Sequence, residues 1–276
     1  MPLVINTNVA SLQAQKNLNS TQSALASSFN RLSSGYRINS AKDDAAGLAV
    51  SENMRMQIRS YSVAERNAND GISMAQTAEG ALGSVSDILG RMRELAMQGS
   101  NGSLQSADRD YLNTEFNSLK AEVSRILTST KFNGRQLLGA ASSAVEFQVG
   151  IGNQASDRIT LTFGGVALTA LTTASTTLSG NSAAASRSAL DAIDNALKTV
   201  STNRAKYGAA MNRLEITTSN LQTERLNISA ANSRIKDVDV AEETASLART
   251  QVLSQAGASI LAQANQAPNT ALGLLR

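Results

Sequence analysis

The sequence contains no cysteine and no histidine. Catalysis by Ser-His-Asp or Cys-His groups is therefore impossible, zinc sites built from His or Cys are excluded, and no disulfide can form. Tryptophan is also missing, and aromatic residues make up only 3% of the 276 residues. An interior poor in large rings suits closely packed helices better than a conventional globular core. The prolines are Pro2 and Pro268 alone, so residues 3–267 carry no helix breaker. A proline inside a helix costs about 3 kcal/mol, and its absence leaves room for very long helices. No run approaches the ~18–20 apolar residues of a membrane span. Residues 1–8 lack the basic and apolar regions of a cleavable secretory signal, so composition alone reads as a cytoplasmic protein. Net charge is +3. It is evenly spread: residues 1–138 hold 14 basic and 12 acidic groups, and residues 139–276 hold 11 and 10. That is no nucleic-acid footprint, despite a pI near 9.3.

Helical periodicity dominates what is present. After the capping cluster Asn6-Thr7-Asn8, Leu18, Gln22, Leu25, Phe29 and Leu32 recur at steps of four and three, a heptad seam that Ser34-Gly35 stops. Asp43 and Asp44 restart a helix, where they suit a cap better than a metal pair. Tyr61, Ala64, Ala68, Ile72, Ala75, Glu79, Leu82, Val85 (or Ser86), Leu89, Met92 and Ala96 carry the same rhythm to about Gln98. A turn at residues 99–103 leads to a third helix with Leu112, Phe116, Leu119, Val123 and Ile126, ended by Thr130–Gly134. Period two then appears at Val145, Phe147 and Val149, and again at Ile159, Leu161 and Phe163. These predict a β-hairpin near 144–164, followed by a loop to Asn181. The longest pattern runs Leu190, Ile193, Leu197, Val200, Arg204, Tyr207, Met211, Leu214, Thr218, Leu221, Arg225 and Ile228. A helix over about 183–232 would be on the order of 75 Å long and needs partner helices. A final helix near 240–264 places Ala241, Ala245, Ala248, Val252, Ala256, Ile260 and Ala264 on one side. The fold class is mainly α, with long antiparallel coiled-coil helices and a small hairpin.

Charge is distributed unevenly at the ends. Residues 1–41 hold Lys16, Arg31 and Arg37 and no acid, and after Glu243 only Arg249 and Arg276 are charged. Small, apolar, nearly uncharged helical termini suggest surfaces meant to be buried against other subunits. Alone, such seams bury too little to offset roughly 1–2 kcal/mol of backbone entropy per residue, so the termini are expected to order on association. Gly150–Ala155 matches a dinucleotide fingerprint, but no helix or βαβ unit surrounds it and a hairpin turn explains it better. Arg91–Gln98 reads as a solvated, ion-paired face. No carboxylate pair has a nucleophile, base or phosphate loop beside it, and long basic faces with aromatic anchors for a lipid surface are missing.

Several segments resemble bacterial flagellin: Ala41–Ala49, Asn67–Leu82, Thr130–Gly134, Ser233–Asp239 and Ala262–Gln266, with Ile5–Asn8 at the start. The resemblance covers nearly the whole chain. It implies an inner coiled-coil domain of paired termini (1–44 and 234–276) and a core domain (45–233). It further implies a filament homopolymer, no cofactor and no catalysis, and secretion through the flagellar type III apparatus with an export chaperone. Hook-associated and cap proteins would be partners, and nucleic acid and membrane would not. Only about forty-five residues separate the third helix from the long one, so the chain looks like a minimal form without variable outer domains. Family members that engage Toll-like receptor 5 present an Arg, a Leu and a Glu, which match Arg91, Leu95 and Glu115. Leu18, Leu25, Leu32, Ala248, Val252 and Ile260 form the candidate assembly seam. The hook–filament junction protein, or a helical binding module, is the alternative.

Overall fold

A computed structural model describes residues 7–168, 171, 176–179 and 183–273. Among these, five long α-helices run in chain order: α1 (Val9–Ser34), α2 (Ala45–Gly99), α3 (Ser106–Ser129), α4 (Ala184–Lys236) and α5 (Val240–Gly273). Between α3 and α4 lie two antiparallel strand pairs, β1 (Lys131–Phe132) with β2 (Arg135–Gln136), and β3 (Ser143–Gln148) with β4 (Arg158–Phe163). The chain divides into two compact units. Unit 1 comprises residues 1–58 and 226–276, and unit 2 comprises residues 59–225. Both α2 and α4 contribute residues to each.

The helix ends follow local chemistry. Asn8 caps α1, its side-chain oxygen accepting from the Ser11 amide at 3.0 Å. Gly35 closes α1 in the left-handed region at φ 74°, donating its amide to Arg31. Asp43 accepts from the amide and hydroxyl of Ser40, both at 2.9 Å, and Asp44 accepts from the Gly47 amide at 2.8 Å. Those bonds, the backbone one to Ser40 first, hold the Asp43 carboxyl below its ordinary pKa. The two aspartates therefore shape the turn into α2. The final helix continues beyond the expected Ala264 to Gly273.

Unit 2 has the larger core. Ala68, Ala75, Ala78, Leu82, Val85, Leu89, Met92 and Ala96 of α2 are buried, with Phe116 and Val123 of α3. On α4 the buried row is Ala189, Ile193, Ala196, Val200, Asn203, Tyr207, Ala210, Leu214 and Leu221. Every second member of the expected seam from Ile193 to Leu221 (Ile193, Val200, Tyr207, Leu214, Leu221) is thus in place, and the last, Ile228, is only partly buried. Its other members differ: Leu190, Leu197 and Met211 are only partly buried, and small residues one position earlier take the interior. The reason is steric, because alanine lets α4 approach its neighbours closely. Arg204 swings out to Glu79, with two of its guanidinium nitrogens, Nε and Nη2, donating to one carboxylate oxygen at 2.9 and 2.6 Å.

The expected hairpin is present, with Val145 opposite Leu161 and Phe147 opposite Ile159. Its inner residues Phe147, Ile159, Leu161 and Phe163 are buried, and Phe163 stacks on Tyr207 with ring centroids 5.5 Å apart. Asn67 of α2 donates to the Gln148 carbonyl at 2.9 Å and fixes the hairpin's place. The motif at Gly150–Ala155 is the β3–β4 connection, and a short 3-10 turn, not a long helix, follows it. Asn133-Gly134, read only as a helix stop, also turns the small β1–β2 pair, with both residues at positive φ. The stretch expected to be loop up to Asn181 lies partly outside the described residues. Its described apolar residues Val166, Leu168, Leu171 and Leu178 are buried in the core of unit 2.

Leu214 is fully buried at the centre of this core. Leu214→Ala is expected to cost about 2–5 kcal/mol in denaturant unfolding of unit 2. The exposed Ile216→Ala should stay within about 0.5 kcal/mol. Equal effects at both positions would contradict the packing described.

Candidate assembly surfaces

In unit 1, α1 and α5 form an antiparallel pair whose register is fixed along its length. Asn8 donates to the Ala264 carbonyl at 2.7 Å and the Ser11 hydroxyl to Asn265 at 2.6 Å. At the other end Arg31 meets Glu243 at 3.6 Å. Midway, a Cβ on Gly257 would lie 3.3 Å from Leu18, a tight contact that the glycine avoids where the helices come close.

The inner row of α1 is Ser11, Ala14, Leu18, Thr21, Leu25, Ser28 and Leu32, of which only Ala14 and Ser28 are fully buried. Leu18, Leu25 and Leu32 lie on this row and are partly buried, Leu18 against Gly257. Gln22 and Phe29 do not lie on it; the seam passes through Thr21 and Ser28, because small side chains fit where Phe29 would hold the helices apart. On α5 the inner row is Glu243, Ser246, Leu247, Thr250, Ser254, Gly257, Leu261 and Ala264. The row expected on this helix is not the one facing α1: Ala248, Val252 and Ile260 are exposed in the single chain, with Val252 at 65% and Ile260 at 56%. An apolar row was visible in the sequence, but it lies away from α1. The side facing α1 is built mainly from hydroxyls, a glycine and an alanine, with two leucines, Leu247 and Leu261, a mixture that hydropathy alone does not mark. On α1, Val9, Leu12 and Phe29 are likewise exposed.

Where α1 and α4 end, the two connecting segments clamp each other. Arg37 donates its amide to the Lys236 carbonyl at 2.7 Å, and Val238 donates to Gly35 at 3.1 Å. The Arg37 guanidinium donates to the Ile235 carbonyl at 2.6 Å, and the Lys236 ammonium sits 4.8 Å from the Tyr36 ring centroid. Each bond spans the sequence from one terminus to the other, so the ends of the chain are held in one unit.

In unit 2, Arg91 pairs with Glu115 and with Glu94, both at 2.9 Å. The hydrogen bond to Glu115, then that to Glu94, raises the Arg91 pKa. These groups are half-exposed, so solvent and salt screen the pairs and they contribute little to stability. Leu95 does not join them at the surface. It is 1% exposed and packs in the core. Of the three residues matched to receptor recognition, Arg91 and Glu115 are therefore the two that present side chains to solvent. Arg109, unremarked in the sequence, is buried and donates to the carbonyls of Gly99 at 3.0 Å and Asn101 at 3.1 Å. It ties down the α2–α3 turn. Its place on the Phe116 face, one heptad earlier, was the available signal. Among the described residues no group of carboxylates is placed to hold a metal ion.

Comparison with known proteins agrees with this architecture. The family model for the bacterial flagellin N-terminal helical region matches residues 5–143, and that for the bacterial flagellin C-terminal helical region matches residues 190–275. The chain is 46% identical over 274 residues to a flagellin of Halalkalibacterium halodurans, covering 99% of this chain and 100% of that one. A flagellin C of Vibrio anguillarum is 35% identical over 376 aligned residues, covering 100% of both. The present chain is the shorter of the two, in keeping with the brief segment between α3 and α4. A solved structure from Vibrio parahaemolyticus, described as a flagellar hook-associated protein, has a TM-score of 0.60 at 18% identity and covers 71% of this chain and 100% of its own. At that identity it speaks for the fold alone.

Proposed function

The chain belongs to the bacterial flagellin family, and from that premise we propose that unit 1 completes its packing only against further copies in the flagellar filament. The protein is a structural subunit that self-assembles into that filament. The observation that carries the proposal is the exposed apolar row on α5, Val252 and Ile260 included, beside a seam in which only Ala14 and Ser28 of α1 are buried. After Glu243 no acid and few bases interrupt it. Charges on such a face would have to be desolvated in every contact, which their scarcity avoids. Assembly of copies then adds the apolar area that two thin helices lack. The domains follow: paired termini (1–44 and 234–276) as the inner, assembling part and 45–233 as the self-sufficient core.

The role is structural rather than enzymatic. The remaining partners follow from it: the type III export apparatus and an export chaperone before assembly, and hook-associated and cap proteins at the filament ends. The destination is extracellular. Contact with Toll-like receptor 5 would use Arg91 and Glu115, with Leu95 supporting them from beneath.

Val252→Ser combined with Ile260→Ser tests the assembly reading. Both side chains are exposed in the single chain, so its melting should not change. Each apolar side chain buried on assembly contributes about 1.5–3 kcal/mol, so the critical concentration for growth on seeds should rise roughly a hundredfold. Wild-type growth would contradict the reading. For the receptor, Arg91→Ala is expected to lower signalling severalfold with an unchanged circular dichroism spectrum; undiminished potency would remove this surface from the account.

A further inference from the structure

Unit 2 carries a cleft of about 640 Å³ between the β3–β4 connection and α4. Tyr61, Ile151, Arg213, Ile216 and Glu224 are among its walls. Two of these are apolar side chains left in water, with Ile151 at 43% and Ile216 at 63% exposure. Tyr61 and Glu224 satisfy each other: burial, and after it the hydrogen bond to Glu224, raises the phenol's pKa and keeps it a neutral donor. Arg158, also on the rim, pairs with Glu146 at 3.4 Å. Arg213 makes no ion pair among the described residues.

The same unit has an opposite feature. Tyr111, on the first turns of α3, is 78% exposed, the most of any large apolar or aromatic residue described. Asp110 precedes it and likewise makes no side-chain ion pair among the described residues. An exposed ring beside an unpaired carboxylate complements a cleft with two bare isoleucines beside an unpaired guanidinium.

The two cannot meet within one molecule. The Arg91–Glu115 pair sets α3 against the end of α2, so Tyr111 lies near the level of Leu95. The cleft lies at Tyr61, and Gln222 and Arg225 of α4 reach Glu65 there. From residue 61 to residue 95 along α2 is about 50 Å at 1.5 Å per residue. A knob and a socket at separate places on one body make a heterologous contact, the kind of contact from which open filaments are built when its rotation does not close a ring.

We propose that Tyr111 of one copy seats between Ile151 and Ile216 of the next, with Asp110 pairing to Arg213. This inference rests on the filament-subunit reading and names one of the contacts that reading requires. Buried tyrosine is a frequent anchor of interfaces because its rigid ring fills a pocket at low entropic cost.

The absence of native cysteine gives a clean test. A chain carrying both Tyr111→Cys and Ile216→Cys is grown on wild-type seeds and treated with a short bifunctional maleimide. The contact predicts a ladder of covalent oligomers on a denaturing gel. Each single-cysteine chain should stop at the dimer. Filaments without a ladder beyond those controls would overturn the proposal and mean that another surface covers the cleft. A second measurement covers a double-cysteine chain that fails to assemble. Asp110→Arg and Arg213→Asp should each raise the critical concentration about tenfold, and together restore it to within about threefold of wild type. No rescue, or no effect of either single variant, would equally overturn the contact. Failure of the wild-type chain itself to elongate seeds would instead count against the filament reading.

Discussion

Leu18 of α1 lies against Gly257 of α5, and almost everything particular to this protein follows from how little that seam removes from water. Small side chains let two helices come close, but close approach between narrow residues buries little apolar area. Of the α1 row only Ala14 and Ser28 are fully covered. Ordering each residue costs about 1–2 kcal/mol of backbone entropy, which a seam of serine, threonine, alanine and glycine with scattered leucines does not offset alone. On the proposed reading, folding of unit 1 is tied to further burial, and the exposed apolar residues on the outer sides of both helices are the surface proposed for it.

Unit 2 meets the same shortage of large side chains differently. Three long helices and a hairpin share one interior, so Leu82, Leu89, Phe116, Phe163, Tyr207 and Leu214 reach full burial among many partners. Ion pairs such as Arg93–Asp194 at 2.8 Å and Arg204–Glu79 at 2.6 Å flank the core without entering it. Unit 2 thus carries its own stability, and its leftover exposed features, Tyr111 and the cleft at Ile216, are free for contacts between copies.

The sequence made the long elements legible because periodicity and caps act locally. Asn8, Gly35 and the paired strands around Val145 and Leu161 are where residue chemistry placed them. It misled wherever the largest apolar residue was taken to be the buried one. Phe29 faces outward, while Thr21 and Ser28 lie on the inner side, because the packing distance between helices is set by the smallest residues on the seam. Leu190, Leu197 and Met211 yielded the interior of α4 to alanines for the same reason. Of the assembly residues, the α1 leucines were readable as an inward row. The role of the α5 residues depends on copies that one chain does not contain. The buried anchor Arg109 escaped notice because its partners are carbonyls, which sequence patterns do not display.

The central claim is that α1 and α5 gain their stability from association rather than from each other. Amide hydrogen exchange of the full chain, as verified monomer and as filament, tests it most directly, because exchange reads local opening residue by residue. The account predicts fast exchange throughout residues 9–34 and 240–264 in the monomer, slow exchange in the core helices of unit 2, and strong protection of all of them in the filament. Terminal amides in the monomer protected as well as those around Leu214 would contradict it.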